Sequence, residues 1–132
     1  MSSENVEIVR QLNHAIGVGN LESVAELWHP EITWRAMAPS DVGEIGGWER
    51  VRRYVQDWLD TFENLNVRLE ELLNVEDDRV VAMQRTTGRA RLSGIETDLR
   101  YAVVYTIRTG KIACVQEYRH RTDALHAVGL AE

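Results

Sequence analysis

The chain has 132 residues, 44% of them hydrophobic, with 21 acidic and 15 basic side chains and a formal charge of −6. At roughly 100–200 residues per domain, residues 1–132 are expected to form one domain with one core. The lone Cys114 excludes an internal disulfide framework and a cysteine-rich zinc site, and the acidic balance disfavours nucleic acid as a partner. The opening Met1-Ser2-Ser3-Glu4-Asn5 is polar and acidic where a signal peptide is basic and then apolar. No apolar run approaches the ~18 residues that span a bilayer, so a cytoplasmic protein without a membrane partner is expected. All four tryptophans, Trp28, Trp34, Trp48 and Trp58, lie in the first 58 residues.

From Ser3 to about Val18, Val6, Val9, Leu12, Ala15 and Ile16 form a helical stripe, capped by Ser2 or Ser3 and ended by Gly17 and Gly19. Asn20 caps a short second helix through Leu21, Val24, Leu27 and Trp28, which His29-Pro30 stops. Glu31–Met37 alternates as a strand. Ala38–Gly47 reads as a loop, in which Asp41 and Glu44 are expected to be solvated. A third helix carries Val51, Tyr54, Val55, Trp58, Leu59 and Phe62 on one face and charges on the other. After Asn64 the period changes from 3.6 to 2. Strands are predicted over Leu65–Val75, Arg79–Leu92, Ile95–Arg108 and Lys111–Arg121, the last pair joined by a tight Thr109-Gly110 turn. Asp123 opens a short C-terminal helix, Ala124–Val128. Helices followed by hairpin-linked strands make the class α+β with an antiparallel sheet.

Alternation divides each strand between two faces. The sets with the bulkiest members are assigned to a concave face covered by helices: Val81, Met83, Arg85, Thr87 and Arg89; Tyr101, Val103, Tyr105 and Ile107; and Ala113, Val115, Glu117 and Arg119. The opposite sets are small or mildly polar, which suits either a homodimer through the outer sheet face or simple exposure to water. The concave assignment brings Arg85 and Glu117 onto one covered face. Burying charges is costly unless they are paired, so the two are expected to meet. They form either a structural ion pair or a polar cluster in an apolar pocket, with Glu117 as general base and Arg85 positioning it or stabilising developing negative charge.

The opening Glu4-Asn5-Val6-Glu7-Ile8-Val9-Arg10, the Gly19-Asn20-Leu21-Glu22 step and Leu27-Trp28-His29-Pro30-Glu31-Ile32-Thr33-Trp34 resemble the SnoaL-like branch of the NTF2-like superfamily. So do Gly47-Trp48-Glu49-Arg50-Val51-Arg52, the Gly110-Lys111-Ile112 hairpin and Asp123–Leu130. The resemblance implies a cone: a curved sheet wrapped by N-terminal helices around one pocket. The superfamily includes polyketide cyclases, ketosteroid isomerases, limonene-type epoxide hydrolases and non-catalytic binding modules, so fold alone does not decide chemistry. Ketosteroid isomerases place a base aspartate in the first strand, where this chain has Trp34-Arg35-Ala36. Epoxide hydrolases of the limonene type use an Asp-Arg-Asp triad. Here Arg85 keeps the arginine, Thr87 stands where the first acid belongs, and Glu117 is similar in position to the second. SnoaL-type cyclases use an acid with a histidine nearby. Glu117 and His120 match those types, although parity puts His120 on the other face.

His14, His29, His120 and His126 lack metal-ligand spacing, so no metal is expected, and no cofactor either. His14 lies near the first helix's apolar stripe, where it is either an ordinary surface or core residue or one that points into the cone. The tryptophans serve as core or, with Met37, Tyr54, Met83, Tyr101 and Tyr105, line a cavity for a flat or cyclic apolar ligand. The candidate ligand-binding set is Trp34, Met37, Tyr54, Trp58, Met83 and Thr87, together with Tyr101, Val103, Tyr105, Val115, Arg119 and His14. The expected function is cofactor-free acid–base chemistry on an apolar, cyclic or polyketide- or terpenoid-like substrate, by a hydrolase, cyclase or isomerase. The alternative is a non-catalytic ligand-binding module or a dimeric accessory protein.

Overall fold

The computed structural model describes residues 2–37 and 43–130. The expected Ser2 or Ser3 cap, the Val24 side chain and Asp41 lie outside what it describes. Helix α1, Ser2–Val18, buries Val9, Leu12 and Ala15 at the predicted three-residue spacing. Its stripe also carries two buried amides, Asn5 and Asn13. The Asn5 Nδ2 donates to the Asp77 carbonyl at 2.9 Å, fastening the start of the helix to a distant turn. A 3₁₀ helix follows over Leu21–Leu27, with the Asn20 side chain accepting from the Ser23 N–H as the sequence suggested.

Strand β1 is Trp28–Arg35 and starts three residues earlier than its alternation indicates. A short strand β2, Glu44–Gly46, occupies part of the predicted loop; it pairs Thr33, Trp34 and Arg35 with Gly46, Ile45 and Glu44. Helix α2, Trp48–Thr61, buries Val51 and Val55. Strands β3 (Phe62–Val75), β4 (Arg79–Ala90), β5 (Glu96–Arg108) and β6 (Lys111–Tyr118) follow, and helix α3, Arg121–Ala127, closes the chain's order. Thr109 and Gly110 both have positive φ, at 51° and 75°, the pairing a two-residue hairpin requires between right-twisting strands. Gly88 matters for space instead: an added Cβ would lie 3.2 Å from Leu65 Cδ1, so the absent side chain lets β3 approach β4.

The six strands form one sheet in the order β2-β1-β6-β5-β4-β3. All pairs are antiparallel except β1 with β6, which is parallel, so the sheet is mixed rather than wholly antiparallel. That pair joins the first long strand to the last. Hairpin signals report only sequential neighbours, which is why it was not legible. Register shifts in β3 between Glu63 and Asn66 and between Leu69 and Glu71 are bulges, which bend and twist a sheet.

The sheet is covered on both faces. On one face α1, α2 and the 3₁₀ helix meet Ile32, Trp34, Val80, Ala82, Val103 and Tyr105. On the other, Ala124, Leu125 and Val128 of the C-terminal segment pack on Val81, Met83, Ala102 and Val104. This reverses the expected facing of β4. Val80–Gln84 are all buried, because each side of the strand has its own cover. A strand buried on both faces has no apolar–polar alternation to read. Met83 was bulky because it packs beneath α3, and not because it faces the concave side.

Candidate active site

Between α1, α2 and the concave face lies a cavity of about 70 Å³, room for several waters at the ~10–15 Å³ each requires. Its wall is mostly aromatic and aliphatic. Trp34 of β1 and Tyr54 and Trp58 of α2 form one side, with Trp34 and Tyr54 ring centroids 5.9 Å apart. Trp28 and Trp48 lie behind: Trp28 stacks on Trp48 at 4.7 Å and sits 6.3 Å from Trp34. Half of the tryptophan cluster is therefore core that backs the wall, and half is the wall itself. Val103, Val115, Tyr101 and Tyr105 form the sheet side, and Met37 sits at the end of β1's extension.

The only carboxylate among the described lining residues is Glu117. On β6 it stands opposite Val103 of β5, with Tyr101 and Tyr105 at the two diagonal positions on the same face. Its Oε1 accepts from the Met37 N–H at 3.2 Å. Burial raises the Glu117 pKa, because a carboxylate loses hydration in an apolar wall; the Met37 N–H and the Trp34 indole dipole oppose the shift. The Trp34 Nε1–H itself is buried and, among the described residues, lies outside hydrogen-bond geometry with any group. Burial and the Glu117 charge both push the Tyr54 hydroxyl up to about 12. Burial likewise raises Tyr101 and Tyr105. All three phenols are thus neutral donors at physiological pH.

The polar floor joins Tyr101 and Tyr105 to Asn13, Gln84 and Thr86, three residues that alternation did not place there. Asn13 of α1 donates Nδ2 to the Val9 carbonyl at 2.9 Å and to the Tyr105 hydroxyl at 3.2 Å. Tyr105 donates to Gln84 Oε1 at 2.6 Å, and Gln84 Nε2 donates to the Tyr101 hydroxyl at 3.2 Å. Thr86 Oγ1 lies 2.7 Å from the same hydroxyl. Asn13, Gln84 and Thr86 are all nearly inaccessible. Asn13 had one available signal: a polar side chain four residues after Val9, within an apolar stripe. Gln84 and Thr86 had none once β4 was faced the wrong way.

Several expected members lie elsewhere. Arg85 is on the opposite face, where its guanidinium grips Asp98 through Nε–Oδ1 at 2.8 Å and Nη2–Oδ2 at 2.6 Å. It does not meet Glu117, so the epoxide-hydrolase triad is not assembled. Thr87 alternates with Thr86, and so shares Arg85's face. Met83 lies beneath α3. Arg119 follows the end of β6 at Tyr118, so strand parity no longer orients it; it borders an outer groove with Glu70, Glu71, Arg100 and Arg121. His14 is exposed, one helical step from the inward-facing Asn13. Among the described residues no group of three or more His, Cys, Asp or Glu is placed to hold a metal ion.

A family model, the SnoaL-like domain, matches residues 9–115. The chain belongs to the SnoaL-like domain family. Among solved structures, Bal32a from a soil-derived mobile gene cassette is 20% identical, with 96% of this chain and 97% of that chain covered and a TM-score of 0.81. The epoxide hydrolase/cyclase-like enzyme SalBIII, which acts in pyran-ring formation in the polyether salinomycin, is 18% identical over 93% and 97%, TM-score 0.77. A Catenulispora acidiphila protein with a ketosteroid isomerase-like fold, in complex with trimethylamine, is 19% identical over 94% and 93%, TM-score 0.74. These likenesses show the fold, an α+β architecture of ketosteroid isomerase-like type. A comparison with curated proteins finds no match. No described helix is long and apolar enough to cross a membrane.

Proposed function

We propose that this SnoaL-like cavity is a cofactor-free acid–base site for a small, mostly apolar, ring-bearing molecule, with Glu117 as its general base. One observation carries the reading: a mostly buried carboxylate is the only acid among the described residues lining an aromatic cavity, its pKa raised by desolvation, and it accepts from the Met37 backbone N–H. A base of that kind is poised closer to neutral pH than an exposed glutamate, and burial leaves it poorly hydrated and ready to take a proton. Trp34, Tyr54 and Trp58 supply flat contact area, and Met37, Val103 and Val115 complete an apolar enclosure. Hydrolysis, cyclisation and isomerisation can each begin with the same proton abstraction.

Arg85 has no part in this proposal, because it faces away. A homodimer through the outer sheet face stays within the proposal. The face carries paired charges, Arg85–Asp98, Arg100–Glu70 and Arg121–Glu71, beside the surface that α3 covers. Sedimentation equilibrium decides it, and a monomer at micromolar concentration would remove this part.

The base is tested with 5-nitrobenzisoxazole, a flat carbon acid. Glu117 takes the ring C–H proton, that electron pair forms the nitrile, and the N–O bond breaks to release a coloured phenolate. Glu117→Gln is expected to lower the rate by roughly 10²–10⁴-fold. Undiminished turnover in that variant defeats the assignment. A second reading, ligand binding without catalysis, draws on the polar floor, whose hydroxyls and amides already bond to one another. It predicts binding of the compound with no rate above solution.

A further inference from the structure

We propose that the polar floor has a fixed hydrogen-bond direction that leaves the Tyr101 hydroxyl proton for the cavity, so that the site selects a neutral apolar molecule bearing one ketone-type oxygen, and that Asn13 is the positioning residue that sets this direction. The proposal rests on the reading of the cavity as a ligand site, but not on Glu117 acting as a base.

The direction follows from donor and acceptor capacity, link by link. The Val9 carbonyl can only accept, so Asn13 must present its Nδ2 there, at 2.9 Å. The second proton of that Nδ2 then points to the Tyr105 oxygen at 3.2 Å. Tyr105 accepts on that side and sends its own proton onward to Gln84. The distances agree: 2.6 Å suits O–H···O between Tyr105 and Gln84 Oε1, and 3.2 Å suits N–H···O from Gln84 Nε2 to Tyr101. The reverse amide orientation would place the longer bond type at the shorter distance. Gln84 is therefore a donor toward Tyr101, and the Tyr101 proton is not consumed by the chain.

Thr86 decides where that proton goes. Its hydroxyl is 2.7 Å from Tyr101 and 2% exposed. If Tyr101 donated to Thr86, the remaining proton would sit on the Thr86 hydroxyl, which is almost wholly buried, rather than on the more accessible Tyr101. If Thr86 donates, the Tyr101 oxygen accepts twice and its O–H faces the cavity, where a ligand or water satisfies it. An unsatisfied buried donor is the costlier outcome, so Thr86 is the donor. Tyr101 then stands as a pre-oriented donor held by two partners. Tyr54, the phenol on the helix side of the wall, packs its ring against Trp34 instead.

Asn13 touches no ligand in this scheme; it acts through Tyr105 and Gln84. Without its amide, Gln84 can turn over, giving Nε2 to Tyr105 and Oε1 to Tyr101. The Tyr101 proton would then be drawn out of the cavity.

The test uses acetophenone and its hydrocarbon counterpart ethylbenzene, with binding constants for both and the infrared carbonyl band of bound acetophenone. The wild-type protein is expected to prefer acetophenone roughly fivefold, the worth of one net hydrogen bond, and to move the carbonyl band to lower wavenumber. Tyr101→Phe should abolish both effects while leaving ethylbenzene binding intact. Asn13→Leu, or Asn13→Ala if the larger side chain prevents folding, should weaken both in a protein that melts cooperatively. Four results overturn the proposal: no preference in the wild type, no binding of either compound, a retained band shift in Tyr101→Phe, or loss of the shift in Tyr54→Phe instead. A shift unchanged in the Asn13 variants removes the positioning role. Failure of the base assignment appears separately, as undiminished benzisoxazole opening in Glu117→Gln, a reaction that the acetophenone measurements do not read.

Discussion

Tyr105→Phe deletes one oxygen from the centre of the cavity floor and leaves the ring volume unchanged. Tyr105 is 2% exposed, so no cavity opens and the apolar contacts persist. What changes is the polar accounting. Gln84 Oε1, on a side chain 3% exposed, loses its donor, and the Asn13 Nδ2 keeps only its bond to Val9. A buried acceptor left unsatisfied costs about 1–3 kcal/mol, and the second lost bond adds about 1 kcal/mol, for a total of about 2–4 kcal/mol. Rotation of the Gln84 amide toward Tyr101 recovers part of this and favours the lower end. Urea unfolding followed by tryptophan fluorescence measures it. At an m-value of roughly 1–3 kcal/mol/M, the midpoint should fall by about 1–2 M with m unchanged. Thermal unfolding should drop by roughly 6–16 °C for a domain of this size. A loss below about 0.5 kcal/mol would refute the claim that the floor is a closed, directional network, because surface substitutions do as little.

Arg85→Ala should leave benzisoxazole turnover and acetophenone binding unchanged, since the guanidinium pairs with Asp98 on the far face; a large loss in either would return Arg85 to the cavity. Glu117→Gln should raise stability at pH 8 and lose that advantage toward pH 4. The Glu117 pKa is raised in the fold, so between the ordinary carboxylate pKa and the raised one the native state holds a proton that the unfolded chain has released. Wild-type stability therefore falls as pH rises through that window, and urea titrations at several pH values will show whether the variant lacks the slope. By the same shift, wild-type turnover should rise with pH through a midpoint above the usual carboxylate range. Leu125→Ala should cost about 2–5 kcal/mol in urea unfolding, because Leu125 is 3% exposed beneath the convex face; a near-neutral result would contradict the double cover on β4.

The elements were legible where one face of each met water. Helix α2 alternates strongly between Val51, Val55 and its charged side, so its inward residues followed directly, except Phe62, which begins β3. The Thr109-Gly110 turn was equally plain, because positive φ at two successive positions restricts the residues that serve there. Glu117 and the Tyr101–Tyr105 pair faced inward as their parity indicated, since β5 and β6 carry large side chains on the concave side. The parallel β1–β6 pairing left no local trace, and neither did the short β2, whose three residues are too few to show a period.

The facing of β4 was lost for a reason that bears on function. Parity reads a strand only when one side is wet, and α3 dries the side that would have been wet. The sequence VVAMQ from Val80 to Gln84 then offers two apolar faces and no contrast between them. Weight of side chain favoured Met83, and that choice carried Arg85 and Thr87 inward and sent Gln84 and Thr86 outward. A one-residue change of facing thereby exchanged a charged pair for an amide and a hydroxyl as the chemistry of the cavity floor. The two versions make different sites. A buried arginine would have offered an anion a partner and drawn the Glu117 charge into an ion pair. The amide–hydroxyl floor has no net charge, leaves Glu117 without a cation among the described wall residues, and so allows burial to raise its pKa. The neutral, oxygen-bearing ligand inferred for this cavity and the base proposed for it thus depend on the same fact, that α3 covers β4 from behind.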